Sequence, residues 1–314
     1  MKSKRVIVVT GGAGFIGSHL VSRLVALGEH VVVADKKISP SSYFSSENLQ
    51  NKVTFSHIDV ASRGAIRRLM AKFSNVFVFH LAAETIVTTC YDNPWITMRT
   101  NIMGTVNLLE ELRTNSRISG MVVASSDKAY GKTKTIYTEV SPLAGDHPYD
   151  VSKSSADLIS LAYAKTYGIP VAVARFGNVY GEGDIHYDRL IPGICKAVNK
   201  KKTLIIRSDG TYVRDYLYVK AVVEGYILLW KKIAITQGQA FNFSSTDTYS
   251  VNEVLDLVQR KLAIPLKYKI ANTARNEIPY QHLDDKKVRA LGWKNTYQLK
   301  DLIPKLISWY GKHI

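Results

Sequence analysis

Cysteine is nearly missing from this 314-residue chain: there are 2, Cys90 and Cys195, far apart and without a CxxC pair or a nearby histidine cluster. That spacing argues against both a disulfide framework and a zinc site, and we expect two reduced thiols. No apolar run approaches the roughly 18 residues that a bilayer span needs, so no membrane association is expected. The opening MKSKRVIVVTGG becomes strand-like too early for a secretory leader, which makes a cytoplasmic protein the expectation. Proline is sparse, at 9 residues, and 46% of residues are hydrophobic against 22% charged, so wholesale disorder is excluded. Acidic residues are also in short supply: 26 against 42 lysines and arginines leave a net charge of +16. Such a surface concentrates anions of every kind. The lysines are nevertheless scattered, with NKKK at 199–202 the densest run, and no basic stripe is interleaved with aromatics. A diphosphate is therefore a better expected partner than nucleic acid.

What is present is a rhythm of buried strands and amphipathic helices. RVIVVTG (5–11), HVVVAD (30–35), KVTFSHID (52–59), NVFVFHLAA (75–83), SGMVVASS (119–126) and IPVAVARF (169–176) read as strands buried on both faces. Helical spacing falls between them, as in 19–28 and 101–113, and this alternation predicts an α/β fold: a doubly wound parallel sheet of the Rossmann type with a second, smaller α/β lobe. The expected division is a dinucleotide-binding domain over 1–176 and a substrate lobe over 177–314, with segments near 213–240 returning to the first domain. Further helices are predicted at 188–200, 214–231, 250–263 and 298–311. SPSSYFSSEN (39–48) is predicted to be a loop.

Directly after the first strand, TGGAGFIG places Gly11, Gly14 and Gly17 where the chain must turn tightly and let a pyrophosphate reach the backbone. Asp35, closing the second strand, can accept both ribose hydroxyls of an adenosine and repel a 2′-phosphate. NAD is the favoured cofactor, with NADP the alternative through Lys36 and Lys37. Asp59 and HLAAE (80–84) end the third and fourth strands, at the sheet edge where such folds bind ligands. Asp59 is a candidate for adenine, and the small Ala82 and Ala83 leave room. Phe15, Ile16, Val60 and Leu81 complete the expected cofactor wall. Finally, PYDVSK sets Tyr149 and Lys153 on one face of a helix opening at Pro148. An ammonium near a phenol stabilises the phenolate, so Tyr149 is a candidate general base.

Taken with TNIMGTVNLLE, PYDVSKSSAD, RFGNVYG, RSDGTYVRDYLYV and ARNEIPYQHLDDKKVRALGW, these motifs make the chain similar to the extended short-chain dehydrogenase/reductases that act on nucleotide-diphospho-sugars. The resemblance runs over nearly the whole chain. It implies that Ser126 holds the sugar's 4-oxygen, that Tyr149 is the base and that Lys153 is its ribose-binding partner. It also implies that Glu84, Asn178, Arg214 and Arg275 contact a nucleotide-diphospho-sugar. Relatives pair helices equivalent to 94–113 and 149–167, so a homodimer is expected, with Tyr163, Tyr167 and Leu109 as candidate interface residues. Lys220 departs from the family pattern, where an Asp is frequent, and is expected to affect contacts between lobes.

SSDKAYG (125–131) separates two reactions. In epimerases of this group the residues after the hydroxyl donor are small, whereas 4,6-dehydratases carry there an acid for the departing 6-hydroxyl and a base for carbon 5. Here the pair is Asp127 and Lys128, which resembles the enzymes acting on CDP-glucose. The sequence thus favours an NAD-dependent 4,6-dehydratase. A 4-epimerase is the alternative, and a non-catalytic basic protein binding RNA or a partner is a third reading.

Overall fold

The computed structural model describes residues 5–133, 135–273 and 278–314. The six predicted strands form as β1 (Val6–Thr10), β2 (His30–Asp35), β3 (Thr54–His57), β4 (Val76–His80), β5 (Ile118–Ser126) and β6 (Val171–Phe176). Alternate residues of β1 enter opposite cores. Ile7 and Val9 pack with Val33, Phe79 and Tyr226, while Val6 and Val8 pack with Val32, Val78 and Leu109. Side chains of a strand point to opposite faces in turn, so a continuous apolar run marks a sheet covered on both sides.

After β7 (Asn178–Tyr180), β8 (Leu204–Ile206) and β9 (Val213–Tyr218), the strand β10 (Gln239–Phe243) pairs in parallel with β6. The sheet thereby gains its seventh strand, in the order β10-β6-β5-β4-β1-β2-β3, and every pairing is parallel. Strand order reverses between β1 and β4, which opens a crevice at the carboxyl edge. The smaller sheet joins β9 to β7, to β11 (Thr248–Ser250) and to β13 (Tyr280–Gln281), while β12 (Tyr268–Ile270) pairs with β8. Its own core gathers Ile194, Tyr216, Val254, Leu306 and Tyr310.

Three local expectations are corrected. The helix predicted over 214–231 begins only at Val219, because β9 is claimed by three neighbouring strands and the helix Val219–Lys231 then lays Val222, Tyr226 and Trp230 on the large sheet. The expected loop at 39–48 contains a short helix, Tyr43–Ser46, started by Ser42 accepting from the Ser45 amide and held down by the buried Phe44. Leu109 is fully buried in the core rather than on an interface, whereas Tyr167 is exposed and Tyr163 donates to Glu110 at 3.1 Å. Lys220 is exposed on the helix Val219–Lys231 and adds to the charges that hold His19 below its ordinary pKa, after the larger effect of burial. Among the described residues, no helix is long and apolar enough to cross a membrane.

Candidate active site

The crevice is a cavity of about 1060 Å³ whose wall runs from Gly11 and Asp35 through Ser126, Tyr149 and Lys153 to Asn178 and Arg214. That is the upper end of small-ligand pockets, with room for more than one ligand.

At one end, Gly11 has φ of +69°, and a Cβ there would come within 2.7 Å of the Ala82 backbone. A Cβ on Gly17 would lie 2.1 Å from the Gly11 carbonyl oxygen. Only glycine permits this turn, which delivers the helix Phe15–Ala26 with Gly14 as its N-cap and no side chain closing its end. Open amides and the helix dipole make that end an anion site. Asp35 is pinned beside it, accepting from the Ala13 amide at 3.0 Å and the Lys36 amide at 2.7 Å. Burial pushes its carboxyl above the usual range, against the pull of those amides. The Lys36 ammonium turns away toward Asp59 (3.8 Å) and Glu84 (3.9 Å), so it is engaged by carboxylates rather than poised for a 2′-phosphate. Asp59 also accepts from the Ala61 amide and from Arg99, while its neighbours Ile58 and Val60 form the wall. Phe15, Ile16, Leu81, Ala82, Ala83 and Glu84 line the cavity. An open helix end, a glycine-only turn and a carboxylate at the second strand suit a dinucleotide.

At the centre, the helix Pro148–Tyr167 starts with Pro148 in its first turn and ends at Gly168 in the left-handed region. It presents Tyr149 and Lys153 on its buried face. Lys153 donates to the Ala124 carbonyl at 3.0 Å, and burial lowers its pKa to about 8. Burial moves Tyr149 upward, opposed first by the charge of Arg189 and also by a hydrogen bond with Ser126. Ser126 caps the short 3-10 turn Asp127–Tyr130, accepting from the Lys128 amide at 3.2 Å and donating to Asp127 at 2.9 Å. Asp127 is 3% exposed, and burial raises its pKa despite the charge of Lys128. It is therefore an acid buried on the cavity wall, not half of a solvated loop ion pair.

Gln281 closes the arrangement. Its amide nitrogen donates to Asp127 at 3.0 Å, and its amide oxygen accepts from Lys128 at 3.4 Å. A connected chain thus runs from Tyr149 through Ser126, Asp127 and Gln281 to Lys128. Reading the sequence does not single out Gln281, nor Arg189, which also lines the cavity; neither sits in a local pattern that marks chemistry. On the far side, the buried Asn178 amide nitrogen has no protein partner, and Arg214 lines the wall while donating to the Val213 carbonyl. Arg275 lies outside the described residues.

A parallel sheet with a dinucleotide turn, a buried Tyr/Lys pair and a smaller sheet beside them suit an α/β protein that binds a dinucleotide. The chain belongs to the NAD dependent epimerase/dehydratase family, whose model matches residues 7–243, and its cofactor is NAD. It is 30% identical over 330 residues to the CDP-glucose 4,6-dehydratase of Salmonella typhimurium, covering 98% of this chain and 91% of that one. Its fold superimposes with a TM-score of 0.85 on the dTDP-glucose 4,6-dehydratase of Bacillus anthracis in complex with NAD, at 28% identity over 98% and 97% of the two chains. The UDP-glucose 4-epimerase of Thermotoga maritima, solved with UDP-glucose, gives 0.87 at 27% identity, with 98% and 99% covered. The chain spans about half (47%) of the length of the trifunctional UDP-glucose 4,6-dehydratases of Arabidopsis thaliana that it also matches.

Proposed function

We propose that the protein is an NAD-dependent nucleotide-diphospho-sugar 4,6-dehydratase. The observation that carries this reading is Asp127: an acid made hard to ionise by burial, on the cavity wall, one hydroxyl away from Tyr149. An epimerase needs only the groups that handle the 4-hydroxyl, and a buried carboxyl retained there without chemistry would be a cost. Bound NAD supplies a reversible hydride acceptor. Ser126 holds the 4-oxygen and Tyr149 takes its proton, with the positive charge of Arg189 favouring the phenolate and Lys153 assigned to the cofactor ribose. The resulting 4-keto group acidifies carbon 5. Lys128, neutral, takes the carbon-5 proton, and the ammonium so formed steadies the enolate. Asp127 gives its proton to the 6-hydroxyl, which departs as water. The net change would be the loss of one water to leave a 4-keto-6-deoxy sugar, with Gly11, Gly14, Gly17 and Asp35 holding the NAD that would supply and take back the hydride.

Asn178 and Arg214 are the groups we assign to the diphosphate, since one has an unpartnered buried donor and the other brings a positive charge to the same wall. We also propose a homodimer through the helices near 94–103 and 149–167, where Trp95, Met103, Leu158 and Tyr167 are exposed. Incubation with a panel of UDP-, CDP-, GDP- and dTDP-hexoses, read by mass spectrometry, tests the reaction. Loss of one water supports dehydration, and an isomer of unchanged mass establishes the 4-epimerase instead.

A further inference from the structure

We propose that Gln281 is a positioning residue of the elimination step, holding the acid Asp127 and the amine of Lys128 apart and both aimed at the hexose. The role rests on the dehydratase reading above. A carboxyl and an amine on adjacent residues of a buried wall can hydrogen-bond or pair directly, and such a pair would leave neither free for proton transfer. The amide of Gln281 is interposed: its nitrogen faces the carboxyl and its oxygen faces the amine. Asp127 and Lys128 form no ion pair within 4.0 Å among the described residues. Each end of the amide matches one partner, so the side chain serves acid and amine at the same time.

The fold builds this contact deliberately from a distant segment. Gln281 lies 154 residues along the chain from Asp127 and is 1% exposed. It sits in β13, paired in register with Arg214 of β9. The next residue, His282, donates to the buried Asp215 at 2.5 Å, and the Leu283 amide donates to the same carboxylate at 3.0 Å. Backbone hydrogen bonds from Tyr137 to the His282 carbonyl and from Asp284 to the Tyr137 carbonyl lock the segment on its other side. These contacts hold the backbone that carries Gln281, from which its amide reaches Asp127 and Lys128.

The test uses the full-length protein with NAD and whichever nucleotide-hexose it dehydrates, comparing Gln281→Leu and Gln281→Glu with the parent. Gln281→Leu should lower kcat for water loss about a hundred-fold, as misplacement of reacting groups by an ångström does, with KM close to parental and a thermal midpoint lowered because the buried Asp127 oxygen loses its partner. Gln281→Glu keeps the size and adds a negative charge beside Asp127, whose other charged or titratable neighbours are Lys128 on its own turn, Arg214 and Asp215 on β9, Tyr137, and Tyr149 on its helix. A like charge favours the protonated acid. The alkaline limb of the kcat profile should therefore move to higher pH, a displacement that a merely structural glutamine would not produce. Parental kcat in Gln281→Leu together with an unshifted profile in Gln281→Glu overturns the role of Gln281 while leaving dehydration standing. If the parent itself yields only an isomer of unchanged mass, the dehydratase reading falls and the role falls with it.

Discussion

Replacing Asp127 by Asn removes one proton-donating group and almost nothing else, so its consequences can be worked out in advance. The carboxyl accepts from Ser126 on one oxygen and from Gln281 on the other. An amide of the same shape keeps one acceptor and turns the other into a donor, facing either the Ser126 hydroxyl or the Gln281 nitrogen. The Ser126 hydroxyl can rotate, which confines the damage to at most one unsatisfied buried donor, about 1–3 kcal/mol of stability. The variant should fold. Its catalytic loss is larger: a positioned acid contributes about a hundred- to ten-thousand-fold, or roughly 3–5 kcal/mol at 1.36 kcal/mol per factor of ten. Oxidation at carbon 4 uses Ser126, Tyr149 and Lys153, which are untouched. Acid-quenched reactions should thus contain a 4-keto sugar that retains its 6-hydroxyl, at up to about one equivalent per enzyme, while release of the dehydrated product is slowed by two to four orders of magnitude. Mass spectrometry in deuterated water adds a second reading, because carbon 5 of the stalled ketone should exchange its hydrogen if Lys128 acts as the base. Turnover of Asp127→Asn at the parental rate would refute the assignment of the acid.

Other consequences follow from separate parts of the structure. Gly17→Ala would place a Cβ 2.1 Å from the Gly11 carbonyl oxygen with only backbone around it, so the turn must shift; we expect about 1–3 kcal/mol of destabilisation and a clear loss of NAD affinity, both measurable in one thermal-shift titration. Isothermal titration should show NAD bound in preference to NADP, and Asp35→Ser should narrow that preference, since the pinned carboxylate would meet a 2′-phosphate; tighter NADP binding by the parent would contradict this reading. Asp215 holds the His282 imidazole above its ordinary pKa of 6.5. The protonated form is therefore favoured by folding, its contribution is complete below about pH 6.5, and it is lost as pH rises through the folded-state value. Thermal midpoints measured from about pH 6 to pH 9 should decline over that window more steeply for the parent than for His282→Gln; parallel curves would show the pair to be thermodynamically silent.

Much of the molecule is local and therefore readable from the chain alone. Runs such as VIVV and VFVF have no polar face and read as strands covered on both sides, and Gly11, Gly14 and Gly17 announce a turn whose backbone excludes a side chain at Gly11 and Gly17. Tyr149 and Lys153 share a helix face by spacing, whereas the roles expected of the consecutive Ser126, Asp127 and Lys128 came from the family resemblance. Tertiary structure decided what depends on partners remote in sequence. VRDYLY became a strand because three other strands needed it, Leu109 went inside because the sheet lies against its face of the helix, and Lys36 was drawn to Asp59 and Glu84, on neighbouring strand ends. Burial, too, is a property of the assembled walls: the same Asp127 would be an ordinary carboxylate on an open loop, and its pKa rises because the assembled structure, with Gln281 packed against it, removes it from water. Periodicity and backbone sterics act over a few residues and are written in order along the chain, whereas desolvation and hydrogen-bond partnership arise only when segments 154 residues apart are brought to the same crevice.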